Sequence, residues 1–240
     1  MFLEGSSAAA WQTASGYDRM KHGTIIPLVP LEVIKVCGIT RVEDALLAVR
    51  GGATAIGLNF YPGSPRYVDF GKGAVLGGVI PRGILRVGVF VDETAERILE
   101  TARAARLDVV QLHGSETPHD CELLAPLRVW KAFRVSEEWS PRALAEYRCE
   151  AFLLDTASPE GFPGGTGKSF RWEIARQAAQ YGKIIIAGGL DGGNVADAVR
   201  AGRPWGVDAS SRIERSPGVK DPGKMRAYLE AAGGVRESGG

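Results

Sequence analysis

Val33-Ile34-Lys35-Val36-Cys37, followed by Gly38-Ile39-Thr40, is a short β-branched run that stops at a glycine. Ala151-Phe152-Leu153-Leu154-Asp155 is a second run of the same kind, ended by a carboxylate. Alternation along a strand puts Lys35 and Cys37 on one face and Ile34 and Val36 on the other, where packing helices are expected. Such runs recur along the chain: Val33 to Cys37, Ala55 to Phe60, Leu85 to Val91, Val109 to His113, Val129 to Phe133, Ala151 to Asp155, Lys183 to Ala187 and Trp205 to Ala209. Most are followed by a longer segment with helical spacing, the pattern of parallel strands joined by crossover helices. Eight such units predict an α/β protein with a single closed (β/α)8 barrel, a TIM barrel, rather than an open sheet.

The intervening segments carry start and stop signals. Thr40 is placed to cap a first helix with Glu43 at its third position, and Gly51-Gly52 to stop it. Thr94 to Glu100, Thr117 to Leu124 and Asn194 to Val199 read similarly. The segment Phe70 to Ile80 is also expected to be helical, although it contains four glycines.

The 240 residues, 45% hydrophobic, suffice for one substantial core, and barrels of roughly 250 residues commonly form a single domain. Residues 31–240 are therefore expected to form the barrel and catalytic domain. Residues 1–30, rich in Ser, Ala and Gly without periodicity, are expected to form a disordered extension, with Met20-Lys21 as an alternative start. A formal net charge of +1 offers no electrostatic case for nucleic acid or an acidic membrane surface, and no apolar run approaches the roughly 20 residues of a membrane span. The three cysteines have no metal-like spacing and fit a reducing compartment. The expected partner is a small molecule, and the expected location is the cytoplasm.

In such barrels function sits at the C-terminal ends of the strands. Cys37 can act as a base there if nearby charge favours its thiolate, although a strand cysteine also serves as a small buried hydrophobe. Asp155 precedes a long glycine-rich stretch, Gly161 to Lys168, of the kind that closes over sites; an Asx turn or helix cap is the alternative. Gly188-Gly189 after the seventh strand and Ser210-Ser211 after the eighth stand where barrels of this type bind phosphate through amide donors. Arg66, in the proline-restricted Tyr61 to Tyr67 loop, suits bidentate binding of a carboxylate. Gln111 and His113 close the fourth strand on one face, and a lone His of this kind does not imply a metal.

These residues resemble the phosphoribosylanthranilate isomerase family of tryptophan biosynthesis. The similarity is carried in order by Lys35-Val-Cys-Gly-Ile-Thr40, Gly57-Leu-Asn-Phe-Tyr-Pro62, Ser64-Pro-Arg-Tyr67, Val87-Gly-Val-Phe-Val91, Val110-Gln-Leu-His-Gly114, Leu153-Leu-Asp-Thr156, Gly164-Gly-Thr-Gly-Lys168, Ala187-Gly-Gly-Leu190 and Val207-Asp-Ala-Ser-Ser211. The resemblance implies a cofactor-free, metal-free Amadori rearrangement of N-(5-phosphoribosyl)anthranilate to 1-(2-carboxyphenylamino)-1-deoxyribulose 5-phosphate. It implies Asp155 as general acid, Cys37 as general base, and Arg66 on the anthranilate carboxylate. Gly188, Gly189, Ser210 and Ser211 would hold the phosphate, and Asp208, Gln111 and His113 would line the pocket. The chain departs from the family pattern at Arg212, where glycine is usual, and at Arg171, where aspartate is usual. Monomers and homodimers are both compatible with the sequence.

Two alternatives remain open on sequence. One is a histidine-pathway aminoaldose isomerase, or an enzyme acting on both substrates; that group resembles an aspartate pair at strand ends one and five, where this chain has Cys37 and Phe133. The other is a non-catalytic phosphate-binding barrel, against which both the acid and the base are present.

Overall fold

The computed structural model describes residues 17–19, 25–27, 31–136, 138–155 and 172–237. Eight parallel strands close into a barrel: β1 (Val33–Val36), β2 (Ala55–Asn59), β3 (Leu85–Phe90), β4 (Val109–Leu112), β5 (Arg128–Arg134), β6 (Ala151–Asp155), β7 (Lys183–Ala187) and β8 (Gly206–Ala209). They are joined in sequential order, and β8 pairs with β1 to complete the ring. All eight runs read from the sequence are strands, with ends displaced by a residue or so; Cys37 and His113 fall one position beyond theirs.

Helices α1 (Val42–Arg50), α2 (Phe70–Val79), α3 (Ala95–Ala104), α4 (Pro118–Leu123), α5 (Ile174–Ala178), α6 (Val195–Gly202) and α7 (Pro222–Glu237) occupy the crossovers and the C-terminal end. Between β5 and β6 a 3₁₀ segment, Pro141–Glu146, takes the place of an α-helix. After β8 the chain forms a small antiparallel hairpin, β9 (Glu214–Ser216) and β10 (Val219–Lys220), before α7. Within the stretch expected to be disordered, two short strands, Tyr17–Arg19 and Ile25–Pro27, pair antiparallel. The rest of residues 1–30 lies outside the described residues.

Strand alternation sorts the core into two layers. Ile34, Val36, Ile56, Leu58, Val110, Leu112, Phe152, Leu154, Ile184 and Ile186 face outward into the layer shared with the helices. Val33, Ala55, Val87, Val109, Trp130, Ala132, Leu153 and Ile185 face inward and fill the barrel's interior. Lys35, Gln111 and Asp208 have the inward parity too, and all three are buried.

Helix starts follow the sequence in part. Thr94 caps α3, and Thr117 forms a reciprocal capping box with Asp120 at α4. Thr40 does not cap α1: the cap position is Arg41, with no side-chain bond, and the Thr40 hydroxyl donates instead to the Gly218 carbonyl at 2.6 Å. The β9–β10 hairpin thus takes the hydroxyl that local sequence offered to α1. Asn194 stands at the start of α6, but its side chain also makes no cap bond there.

Two of the four glycines of α2, Gly73 and Gly77, have a packing cause. A Cβ on Gly77 would overlap the Ala105 carbonyl oxygen, so the glycine lets the helix approach the end of α3 directly. Gly77→Ala is expected to destabilise the fold by about 2 kcal/mol, the scale of overpacking a closed contact, read as a lower midpoint in urea unfolding.

Candidate active site

The inward-facing residues at the C-terminal ends of the strands meet in one cavity of about 310 Å³. It brings together Cys37, Arg66, His113, Asp155, Asp208, Gly188, Gly189, Ser210 and Ser211, nine of the ten site residues expected from sequence. The tenth, Gln111, lies just beneath, fully buried and bonded to His113. Residues 156–171 lie outside the described residues, and with them the expected closing loop and Arg171.

Beside Cys37 is a residue that the sequence reading placed on the correct face but gave no task. Lys35 is fully buried, and its Nζ bonds Asp208 Oδ2 at 2.8 Å. The two residues are direct register partners across the β8–β1 seam. Burial disfavours the Lys35 ammonium, but the facing Asp208 carboxylate and the Cys37 thiol outweigh it and raise its pKa. Burial pushes the Cys37 thiol above its ordinary value; Lys35 and Lys220 oppose that shift and Asp208 adds to it. Lys35 is therefore the principal charge favouring the Cys37 thiolate. The periodicity of β1 signals this, because residues two apart share a face.

Gly57 explains how a thiol and an ammonium fit together. A Cβ at that position would sit 2.7 Å from Cys37 Sγ and 3.1 Å from Lys35 Cε. Any larger residue on the inward face of β2 would displace both.

Asp155 ends β6, three strands round the ring from β1. His113 Nε2 lies 3.5 Å from Asp155 Oδ2, a polar approach longer than a good hydrogen bond. Behind it, Gln111 Nε2 lies 2.9 Å from His113 Nδ1. The Gln111 amide thus holds the imidazole ring with its Nε2 edge toward Asp155. Two buried acceptors remain without a protein partner among the described residues, Gln111 Oε1 and Asp208 Oδ1. Unpaired buried acceptors are costly, and substrate hydroxyl or amine protons are suitable partners for Asp208 at the cavity wall.

Gly188 and Gly189 adopt φ values of 86° and 65°, the left-handed region that glycine enters without strain. The Asn194 side chain fixes this turn by donating to the Gly189 carbonyl at 2.8 Å while accepting from the Asp191 amide at 2.9 Å. It orients a loop rather than capping a helix. Ser210 and Ser211 face the glycine turn across the same cavity. Arg212 lines it too, with its Nε held by Asp191 Oδ2 at 3.1 Å, so its charge sits at the rim without crowding the loop's backbone.

Arg66 is not a free surface cation. Its Nε and Nη2 grip the buried Glu214 at 2.9 and 2.7 Å. Glu214 was invisible to the sequence reading, since it lies 148 positions from Arg66 with no local pattern to connect them.

A barrel with an inward thiol, an inward carboxyl, a glycine turn after β7 and a serine pair after β8 defines a phosphosugar-type (β/α)8 enzyme. The sequence pattern of the N-(5'phosphoribosyl)anthranilate (PRA) isomerase family matches residues 34–231, and the chain belongs to that family. It is 47% identical over 200 residues to the N-(5'-phosphoribosyl)anthranilate isomerase of Trichlorobacter lovleyi, covering 83% of this chain and 97% of that one. It is 49% identical to the Solibacter usitatus counterpart over 200 residues, 83% of this chain and 96% of that one. Among solved structures, phosphoribosyl anthranilate isomerase from Thermotoga maritima superposes with a TM-score of 0.76 at 40% identity, covering 84% of this chain and 98% of that chain. A phosphoribosyl anthranilate isomerase in complex with reduced 1-(o-carboxyphenylamino)-1-deoxyribulose 5-phosphate gives 0.74 at 37% identity over 84% and 98% of the two chains. Among the described residues no helix is long and apolar enough to cross a membrane.

Two outcomes are expected from this geometry. Gly57→Ala should lower kcat by on the order of 10²-fold, the cost of misplacing a reacting group by about an ångström, with the circular dichroism spectrum unchanged. Lys35→Met removes the charge that opposes the rise in the Cys37 pKa, so the midpoint of Cys37 alkylation against pH, followed by peptide mass spectrometry, should move upward.

Proposed function

We propose that this chain isomerises N-(5-phosphoribosyl)anthranilate to 1-(2-carboxyphenylamino)-1-deoxyribulose 5-phosphate, the Amadori step of tryptophan biosynthesis, with Asp155 as acid and Cys37 as base. The roles follow the family resemblance, and the observation that supports the pair is the placement of the two groups at the ends of β6 and β1, on separate arcs of one cavity, with a glycine turn and a serine pair between them at β7 and β8. The sugar then lies between acid and base while its phosphate is held at one side.

Asp155 protonates the ribose ring oxygen, and the C1–oxygen bond breaks to give the open-chain Schiff base. His113, whose Nε2 faces the carboxylate, orients Asp155 toward that oxygen. Cys37, as thiolate, then takes the proton from C2, and the electrons of that bond form the C1–C2 double bond of an enolamine, which tautomerises to the keto product. Lys35 supplies the charge that favours the thiolate, and Asp208 Oδ1 accepts a proton from substrate hydroxyl or amine. Gly188, Gly189, Ser210 and Ser211 hold the phosphate through amides and hydroxyls, with the Arg212 charge at the rim. Arg66 takes the anthranilate carboxylate.

β5 ends at Arg134, one residue beyond the expected Phe133, which packs outward against Trp139 and Tyr147; Cys37 and Arg134 at strand ends one and five, in place of an aspartate pair, speak for anthranilate rather than the histidine-pathway aminoaldose. The ten residues assigned to the site belong to one barrel, which a monomer and a homodimer both contain. Three free thiols support a cytoplasmic setting.

Turnover is read from the loss of fluorescence of enzymatically generated phosphoribosylanthranilate. Cys37→Ser and Asp155→Asn should each reduce kcat by at least about 10²-fold, the usual share of a positioned acid or base, while the reduced product analogue still binds. Near-normal turnover in either variant sinks the assignment of that residue.

A further inference from the structure

Arg66 enters the cavity from the loop after β2, but the group that aims it belongs to β9, beyond the β8–β1 seam. The Glu214 side chain is 4% exposed, with Oε1 and Oε2 at 2.9 and 3.2 Å from Arg66 Nε and Oε2 at 2.7 Å from Nη2. It also accepts from Lys220 Nζ at 2.9 Å and from the Gly218 amide at 3.3 Å. A grip on the Nε–Nη2 edge leaves the Nη1 donors of the guanidinium uncommitted to Glu214. The arm of Arg66 crosses directly over Gly38, where a Cβ would overlap its Cδ, so the guanidinium is carried past the residue that follows Cys37.

Two features tie this cluster to an anion. Two cations share one carboxylate, leaving a surplus positive charge beside the cavity that Arg66 lines. Lys220 Nζ makes a second bond, to the Ser210 carbonyl at 3.1 Å, so the same carboxylate anchors the loop that carries Ser210 and Ser211.

We propose that Glu214 is a positioning residue for carboxylate recognition: it locks Arg66 so that the Nη1 edge meets the carboxylate on the substrate's aromatic ring. This rests on the assignment of Arg66 to that carboxylate. Without Glu214 the guanidinium keeps its charge but loses its direction, and bidentate geometry is lost first.

The test compares wild type, Arg66→Ala, Glu214→Gln and the double variant, using two probes: the reduced product analogue and its counterpart lacking the ring carboxylate. In Glu214→Gln, affinity for the carboxylated analogue and 1/KM should fall about tenfold, the scale of one charge-assisted hydrogen bond. Affinity for the decarboxylated analogue and kcat should change less than about threefold, and the double variant should lose nothing beyond Arg66→Ala, as expected when two residues act as one unit. Equal weakening of both analogues by Glu214→Gln means a general structural role and overturns the proposal. So does an unchanged Glu214→Gln alongside an Arg66→Ala that discriminates. If Arg66→Ala itself fails to discriminate between the probes, the Arg66 assignment is wrong and the proposal falls with it. Should Glu214→Gln not fold, Glu214→Asp, which retains the charge but withdraws it from Arg66, is read by the same criteria.

Discussion

The Lys35–Asp208 pair joins the two ends of the barrel. The first and last strands lie far apart in sequence, and they meet with these two side chains in direct register and a 2.8 Å bond between them. A slip of one residue in either strand would turn its charge outward into the apolar layer of Ile34, Val36 and Val207 and leave the other unpaired, at a cost that burial of an unpaired ion makes prohibitive. The pair is weak evidence for stability, because desolvation offsets much of its attraction. Its effect is on register, and on the charge seen by the thiol one step further along the strand.

That register propagates to the chemistry. Once β1 is seated, alternation sends Cys37 toward the cavity, and closure of the ring places Asp155, Asp208 and the turns after β7 and β8 around the same opening. The residues that crowd Cys37 are small by necessity: Gly57 leaves room for the thiol and Gly38 leaves room for Arg66. Catalytic competence therefore depends as much on absent side chains as on present ones. The thiol sits under two opposed influences, burial that holds its proton and lysine charge that releases it, and the site as it stands leaves burial the stronger.

Around this centre the β9–β10 hairpin acts as a brace. It takes the Thr40 hydroxyl, grips Arg66 through Glu214, and reaches the Ser210 carbonyl through Lys220. Three loops that carry parts of the site, after β1, β2 and β8, are thus tied to one short element. A substrate with an anionic group at each end suits such a brace, since the two anion sites proposed for it are then held at a fixed spacing.

Much of this was legible in the chain alone. Eight β-branched runs specified the barrel because parallel strands buried on both faces leave that signature, and the inward parity of Cys37, His113 and Asp155 followed from counting by two. Local signals failed where a distant partner competed: Thr40 was drawn to the hairpin, and Asn194 to the Gly189 turn. The sequence by itself determined the architecture, the order of the loops and the identity of the acid and base candidates, because periodicity and strand-end position are local properties. Only the tertiary structure decided that Asp208 holds the Lys35 ammonium beside Cys37 and that Glu214 grips Arg66. Those contacts join residues 173 and 148 positions apart, and they exist only once the ring is closed.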